Sequence, residues 1–236
     1  SLALEAALRR RAGDEAPALC AVGRVLRMQR FGGGWNQHFG LFSLVSAGRV
    51  TAGHGFALAA LRSHIGVYLQ LLASLRHAGL AVGRVTVEVS DSGLLAGLCR
   101  DAGVDLRELA ARDRAGEAEA EALLAEAGIA LPRFSREPPV DGPRGRRLGL
   151  VRSQVFEPLA ARFPDAELGF RPGRLAAIGY YRGLLLNIDA ELGGRRLSVA
   201  DGGSTDWTQR LLSDRKERLF VSGIGVERLA VALVPA

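Results

Sequence analysis

Gly223-Ile224-Gly225-Val226-Glu227-Arg228-Leu229, close to the end of the 236-residue chain, reads as a strand, a glycine corner and the opening turn of a helix. A corner of this kind lets a flat ligand approach backbone that carries no Cβ. Arg228 on the helix's first turn offers a planar donor fork to a phosphate or carboxylate. Upstream lie a Tyr180-Tyr181 pair and a Gly-Gly turn, Asp201-Gly202-Gly203-Ser204. A second arginine, Arg27, sits far away in a matching strand context.

Working outward from that stretch, the second half reads as a helix at 150–162, strands near 166–171, 177–189 and 196–201, a short helix at 205–213, a strand at 218–223 and a terminal helix at 226–233. In the first half a short helix at 2–12 precedes a strand at 19–30. A glycine-rich turn (Gly32-Gly33-Gly34-Trp35-Asn36-Gln37) leads into a strand at 39–46 that is apolar on both faces, as in a sheet covered on both sides. The two strands pair as a long antiparallel hairpin. Residues 55–78 form the clearest helix, because Ala57, Leu61, Ile65, Tyr68, Leu72 and Leu75 fall on one face. Gly79 is its stop signal. A cleanly alternating strand at 83–89 is followed by helical pieces near 93–101, 105–112 and 115–127.

Residues 131–147 hold four of the nine prolines, which marks them as a linker or loop between residues 1–130 and 148–236. Strands fall where a site would be and helices between them. The expected fold class is therefore α+β, a mostly antiparallel sheet flanked by helices.

Composition narrows the function classes. At 48% hydrophobic and 24% charged the chain is ordinary for a globular domain. Lys216 is the single lysine among 31 basic residues, so the net charge of +6 reflects an arginine-rich composition, and a nucleic-acid partner is not expected. Cys20 and Cys99 sit in apolar contexts without metal or disulfide spacing and read as buried core residues. His38, His54, His64 and His77 show no metal spacing either, and His64 reads as a satisfied structural histidine. No apolar run reaches the roughly eighteen residues of a membrane span and no signal peptide opens the chain, so a cytoplasmic protein is expected.

Arg27 and Arg228 could grip different phosphates of one nucleotide, or serve as surface or interdomain ion pairs. The Gly32–Gln37 turn could cover a ligand or be a hairpin tip. Asp201 or Asp206 could hold an amine, or cap the helix that follows.

Taken together these segments resemble a family. Gly23-Arg24-Val25-Leu26-Arg27-Met28-Gln29 with its following strand looks like the second signature of class II aminoacyl-tRNA synthetases, whose arginine meets the nucleotide α-phosphate. Gly223 to Leu229 looks like the third signature, whose arginine meets the far end of ATP. Gly179-Tyr180-Tyr181-Arg182-Gly183 and Asp201 to Asp206 are similar to the two histidine-pocket segments of histidyl-tRNA synthetase. The resemblance implies a class II synthetase-like core. It also implies a histidine-like pocket at Tyr180, Tyr181, Gly202, Gly203 and Asp206, and a nucleotide-facing set of Arg27, Gln29 and Arg228.

The departures bear on activity. The family's acid two residues after the second-signature arginine is Gln29 here. Its arginine before the tyrosine pair falls at Ala176, its next acid at Gly179, the acid of the following strand at Asn187, and the arginine of the Gly-Gly segment at Ser204. Each loss removes a charge that would hold substrate or developing charge, so aminoacylation is not expected and no catalytic residue is assigned. Neither the first signature nor an anticodon-binding domain is recognisable, which implies a fragment or a part supplied by a second polypeptide.

The known relative with this pattern is the regulatory subunit of ATP phosphoribosyltransferase in histidine biosynthesis. The resemblance therefore implies an oligomer with the short-form catalytic subunit, histidine as effector, and no required cofactor, with ATP or AMP as candidate nucleotides. Two other readings stay open. One is an ATP-dependent ligase forming an acyl-adenylate. The other is a scaffold module with an empty pocket.

Overall fold

The computed structural model describes residues 2–26, 38–140, 142–175 and 180–233. The sheet is built from β1 (Ala18–Leu26), β2 (His38–Arg49), β3 (Val82–Asp91), β4 (Ala166–Phe170), β5 (Leu184–Leu192), β6 (Arg195–Thr205) and β7 (Glu217–Gly225). These seven strands lie in the order β1-β2-β7-β6-β5-β3-β4. Every pairing is antiparallel except β3 with β4. The expected α+β class with a mostly antiparallel sheet is what the chain adopts. Strands from before and after residues 131–147 interleave in this one sheet.

The helices are α1 (Leu2–Arg11), α2 (Gly55–His77), α3 (Ser92–Asp101), α4 (Leu106–Ala115), α5 (Glu117–Glu126), α6 (Gly142–Val151), α7 (Glu157–Arg162), α8 (Trp207–Leu212) and α9 (Val226–Leu233). A π-helical turn, Arg152–Phe156, joins α6 to α7. Thr51 Oγ1 accepts from the Phe56 amide at 2.8 Å at the start of α2. Gly79 ends it in the left-handed region at φ +85°, as its stop signal predicts.

Helix α2 is long and apolar enough, by length and composition, to cross a bilayer. In the fold its apolar face lies on the sheet instead. Leu61, Ile65, Tyr68 and Leu72 share one buried core with Val87 and Val89 of β3, Leu186 and Ile188 of β5, and Phe220 and Ile224 of β7. Burying each such side chain contributes about 1.5–3 kcal/mol. Leu148, Val155 and Leu159 of the α6–α7 segment and Leu229 and Leu233 of α9 join the same core.

On the opposite face of the sheet the described residues pack at its two ends. Ala6 of α1 and Trp207 of α8 pack with Val45, Ala47, Leu219 and Val221 at one end. At the other, Leu95 and Cys99 of α3, Leu109 of α4 and Ala120 and Leu124 of α5 form a satellite cluster that includes Leu175. The ground between these clusters is the open part of the sheet.

Four expectations need correction. Cys20 is exposed, while Cys99 is buried as expected. β1 is an edge strand with little packed on it, and Val22 on the same strand is 72% exposed. β2 is covered only in part, because it neighbours that edge. Residues 142–147, assigned to the linker, belong to α6. Within that helix, two N–H groups of Arg147 bind the carboxylate of Asp91, which is 3% exposed. The strand read from 177 starts at Leu184, after Gly183 at φ +103°.

Candidate functional site

Antiparallel register aligns residues of neighbouring strands into rows, and successive rows point to opposite faces. One row runs Ser43, Gly223, Asp201, Asn187, Glu88 across β2, β7, β6, β5 and β3. It faces the open side. The next row, Leu44, Ser222, Gly202, Leu186, Val89, faces α2.

Asp201-Gly202-Gly203-Ser204, expected as a turn, therefore lies inside the central strand β6. The glycines are there because other atoms come close on both faces. A Cβ on Gly202 would stand 2.4 Å from Ser222 Cβ and 2.6 Å from the Val221 carbonyl oxygen. A Cβ on Gly203 would stand 2.8 Å from the Tyr181 ring. Gly202 thus serves the core, and Gly203 the open face.

On that face Tyr181 is 8% exposed and lies against Gly203. Tyr180, 52% exposed, meets it edge-on with centroids 4.8 Å apart and meets Trp207 edge-on at 5.4 Å. Three aromatic rings thus line one side of the open ground. Asp206 stands at the rim. It makes no capping hydrogen bond to α8; its carboxylate pairs with Arg182 at 3.0 Å and Arg210 at 2.9 Å. The capping role that its position before a helix suggests is not the one it fills.

The β7–α9 junction is as expected, strand to Gly225 and helix from Val226. Arg228 donates to the backbone carbonyl of Ser198 on β6. Glu227 pairs with Arg24 of β1 at 3.0 Å. Arg27 and Gln29, the Gly32–Gln37 turn, and Ala176 and Gly179 fall outside the described residues.

Beyond the aromatic wall, charged side chains that sequence reasoning did not single out fill the polar row. Arg171 reaches Glu88 at 3.4 Å and also pairs with Glu117. Burial opposes its charge, but these two carboxylates outweigh that and raise its pKa. Arg196 pairs with Asp189 at 2.9 Å. Arg174 is pushed the other way: burial lowers its pKa despite the attraction of Asp201, Glu88 and Asp189. A cavity of about 710 Å³ opens among Arg171, Arg174, Asn187, Asp189, Arg196 and the apolar side of α5. The available signal was Arg171-Pro172-Gly173-Arg174, a turn with two arginines a few residues before the tyrosine pair.

Asn187 is committed at both ends of its amide. Its nitrogen donates to Asp189 Oδ1 at 2.8 Å, and its oxygen accepts from Ser198 Oγ at 2.9 Å. His64, expected to be structural, is buried in the core. Its ring nitrogens meet Ser46 Oγ at 3.0 Å and Ser222 Oγ at 2.7 Å. Tyr68 closes the network on Ser222 at 2.8 Å. Burial lowers the His64 pKa to about 4, so the ring is neutral. Among the described residues no group of three metal-ligating side chains occurs.

No protein-family model matches the sequence and no curated protein matches it. Solved structures do. The ATP phosphoribosyl transferase (HisG:HisZ) complex from Thermotoga maritima aligns over 94% of this chain and 78% of its own at TM-score 0.59 and 19% identity. An ATP phosphoribosyltransferase regulatory subunit/histidyl-tRNA synthetase from Bacillus halodurans aligns over 100% of this chain and 63% of its own at 0.63 and 15%. Histidyl-tRNA synthetase from Nostoc aligns over 97% of this chain and 57% of its own at 0.62 and 15%. At such identities the likeness establishes the fold, a class II synthetase-like core. The chain spans less than two thirds of the length of the second and third of these proteins.

Proposed function

We propose that this chain is a non-catalytic member of the histidyl-tRNA synthetase-like group, acting as a regulatory subunit of ATP phosphoribosyltransferase. Asn187 carries this reading. It stands at the position that the resemblance gives to an acid, and both ends of its amide are already hydrogen-bonded within the protein. A neutral, committed amide stabilises neither a metal-bound triphosphate nor developing charge. The aromatic wall of Tyr180, Tyr181 and Trp207, with Gly203 beneath Tyr181, suits recognition of a small flat ligand. Histidine is the effector this reading assigns, with Asp206 at the rim and Gly202 behind the pocket. ATP and AMP remain candidate nucleotides for Arg228 and Arg27, and no cofactor is required. A HisG:HisZ complex among the proteins of like fold supports a short-form catalytic subunit as partner, in a hetero-oligomer.

The ligand pocket and the partner surface then share a coupling free energy, in general about 1–3 kcal/mol. Co-expression with a short-form catalytic subunit tests the proposal. The two chains should co-elute, and histidine should lower the activity of the pair more than that of the catalytic subunit alone. ATP–pyrophosphate exchange with any amino acid would instead establish the acyl-adenylate ligase reading and end this one.

A further inference from the structure

The segment that carries the tyrosine pair is fastened to α3 at one residue. Gly183 follows Tyr181 and Arg182, and Ser92 meets both of its backbone groups. The Gly183 amide donates to Ser92 Oγ at 2.8 Å. The Gly183 carbonyl accepts from the Ser92 amide at 2.9 Å and from Ser92 Oγ at 3.3 Å. Gly183 can turn both groups towards one serine because it sits at φ +103°, a conformation that glycine adopts without steric cost. Arg147 packs against the same glycine, where a Cβ would lie 3.4 Å from its Nη1.

Ser92 itself stands on rigid ground. It opens α3, whose first turn is capped by Asp91 through the Gly93 amide at 2.9 Å and whose Leu94, Leu95 and Cys99 are buried. On the other side of the clasp the Arg182 amide donates to the Ser204 carbonyl at 2.7 Å, and Tyr181 lies against Gly203. The tyrosine is thus held between α3 and β6. Its placement fixes the edge-on contact with Tyr180 at 4.8 Å, and Tyr180 in turn meets Trp207. Rings held in place by a supporting hydrogen bond bind more tightly, because less ordering remains to be done on binding. The pairing has no local signature, since Ser92 and Gly183 stand 91 residues apart.

We infer that Ser92 is a positioning residue for the aromatic wall, acting through Gly183 to hold Tyr181 where a small flat ligand meets it. The inference rests on the reading that this wall binds such a ligand, and it names the group that keeps the wall in shape. Without the hydroxyl the Gly183 amide loses its acceptor, and the tyrosine segment regains freedom that a ligand must then remove.

Near-ultraviolet circular dichroism and calorimetric titration with L-histidine test it on the full chain. In Ser92→Ala the aromatic dichroism of the free protein should fall, and the affinity for L-histidine should drop by about fivefold, the worth of one hydrogen bond. Ser92→Thr keeps the hydroxyl and should restore both. Asp105→Ala removes a cap of comparable strength, on the Arg107 amide of α4. It should lower the Tm as much as Ser92→Ala and leave both readings as in wild type. If wild type binds no L-histidine, histidine falls as the effector, and the dichroism alone decides the inference. Any of four outcomes overturns it. They are dichroism unchanged in Ser92→Ala, affinity unchanged there while wild type binds, Ser92→Thr or Asp105→Ala altered as much as Ser92→Ala, and a Ser92→Ala protein that fails to fold, which would assign the serine to the fold alone.

Discussion

Two adjacent rows of the same sheet, one residue apart on every strand, have opposite chemistry. Leu44, Ser222, Gly202, Leu186 and Val89 face α2, where Ser222 is the hub of a sealed network with His64 and Tyr68. Ser43, Gly223, Asp201, Asn187 and Glu88 face the open ground, where arginines from loops and neighbouring strands approach them. The first row has fixed partners for its polar atoms and tolerates no change of volume. The second borders a cavity on the side of α5. A sheet that positions a site can thus be rigid on one face because the other face is packed.

The comparison breaks most sharply at Gly202. Alanine there would drive its Cβ into Ser222 and the β7 backbone, which cannot move without opening the β6–β7 ladder. Gly202→Ala is expected to cost more than about 4 kcal/mol, the mark of an overpacked core, and urea titration would measure it. A cost below about 1 kcal/mol would mean that the two strands are not so close.

Next is the anchor between the two faces. Asp91 holds the Gly93 amide at 2.9 Å at the start of α3 and binds Arg147 from α6. Arg147→Met leaves a buried carboxylate without its cation, so a loss of about 3 kcal/mol is expected. A double-mutant cycle with Asp91→Asn should recover part of it, because the second change removes the stranded charge.

How much of this was legible in the sequence depends on where the information lay. The α2 periodicity, Gly79 and the Gly225–Val226 junction were legible because each is a local pattern with a local cause. The β1–β2 pairing was legible for the same reason. Gly202-Gly203 misled, since a glycine pair signals a turn as readily as a strand crowded on both faces, and only the neighbours decide. Cys20 misled because an apolar strand sequence does not say whether the strand is central or at an edge. Arg147 and Arg174 were unreadable for a tertiary reason. Whether an arginine is paired depends on which carboxylates other arginines have already taken.

The sealed row also predicts a pH dependence. His64 titrates near 4 in the folded chain and near its ordinary 6.5 when unfolded. Below about pH 6.5 the unfolded state takes up the proton first, so stability is complete above that pH and falls as the pH drops towards 4. The full loss from this group is about 3 kcal/mol, by the usual conversion of a pKa difference. His64→Gln should lower stability at pH 7 by about 2 kcal/mol, from imperfect replacement of two hydrogen bonds, and flatten the dependence between pH 6.5 and 4. Unfolding curves at three pH values would show it. An unchanged slope would place the titration elsewhere.

Asp206 gives the smallest effect on stability and the most specific one on the open face. Its two arginine partners, Arg182 and Arg210, are largely exposed, so the pairs contribute little to folding. Asp206→Asn is therefore expected to change stability by less than about 1 kcal/mol. The same substitution leaves Arg182, two residues from Gly203's neighbour Leu184 and next to Tyr181, without its carboxylate. If the aromatic wall holds a ligand bearing a cationic or imidazole group, calorimetric titration with L-histidine should show weaker binding in Asp206→Asn while the protein melts as before. Equal weakening in Arg182→Ala would show that the pair acts as one rim. Unchanged binding in both would confine recognition to the rings and the polar row beneath them.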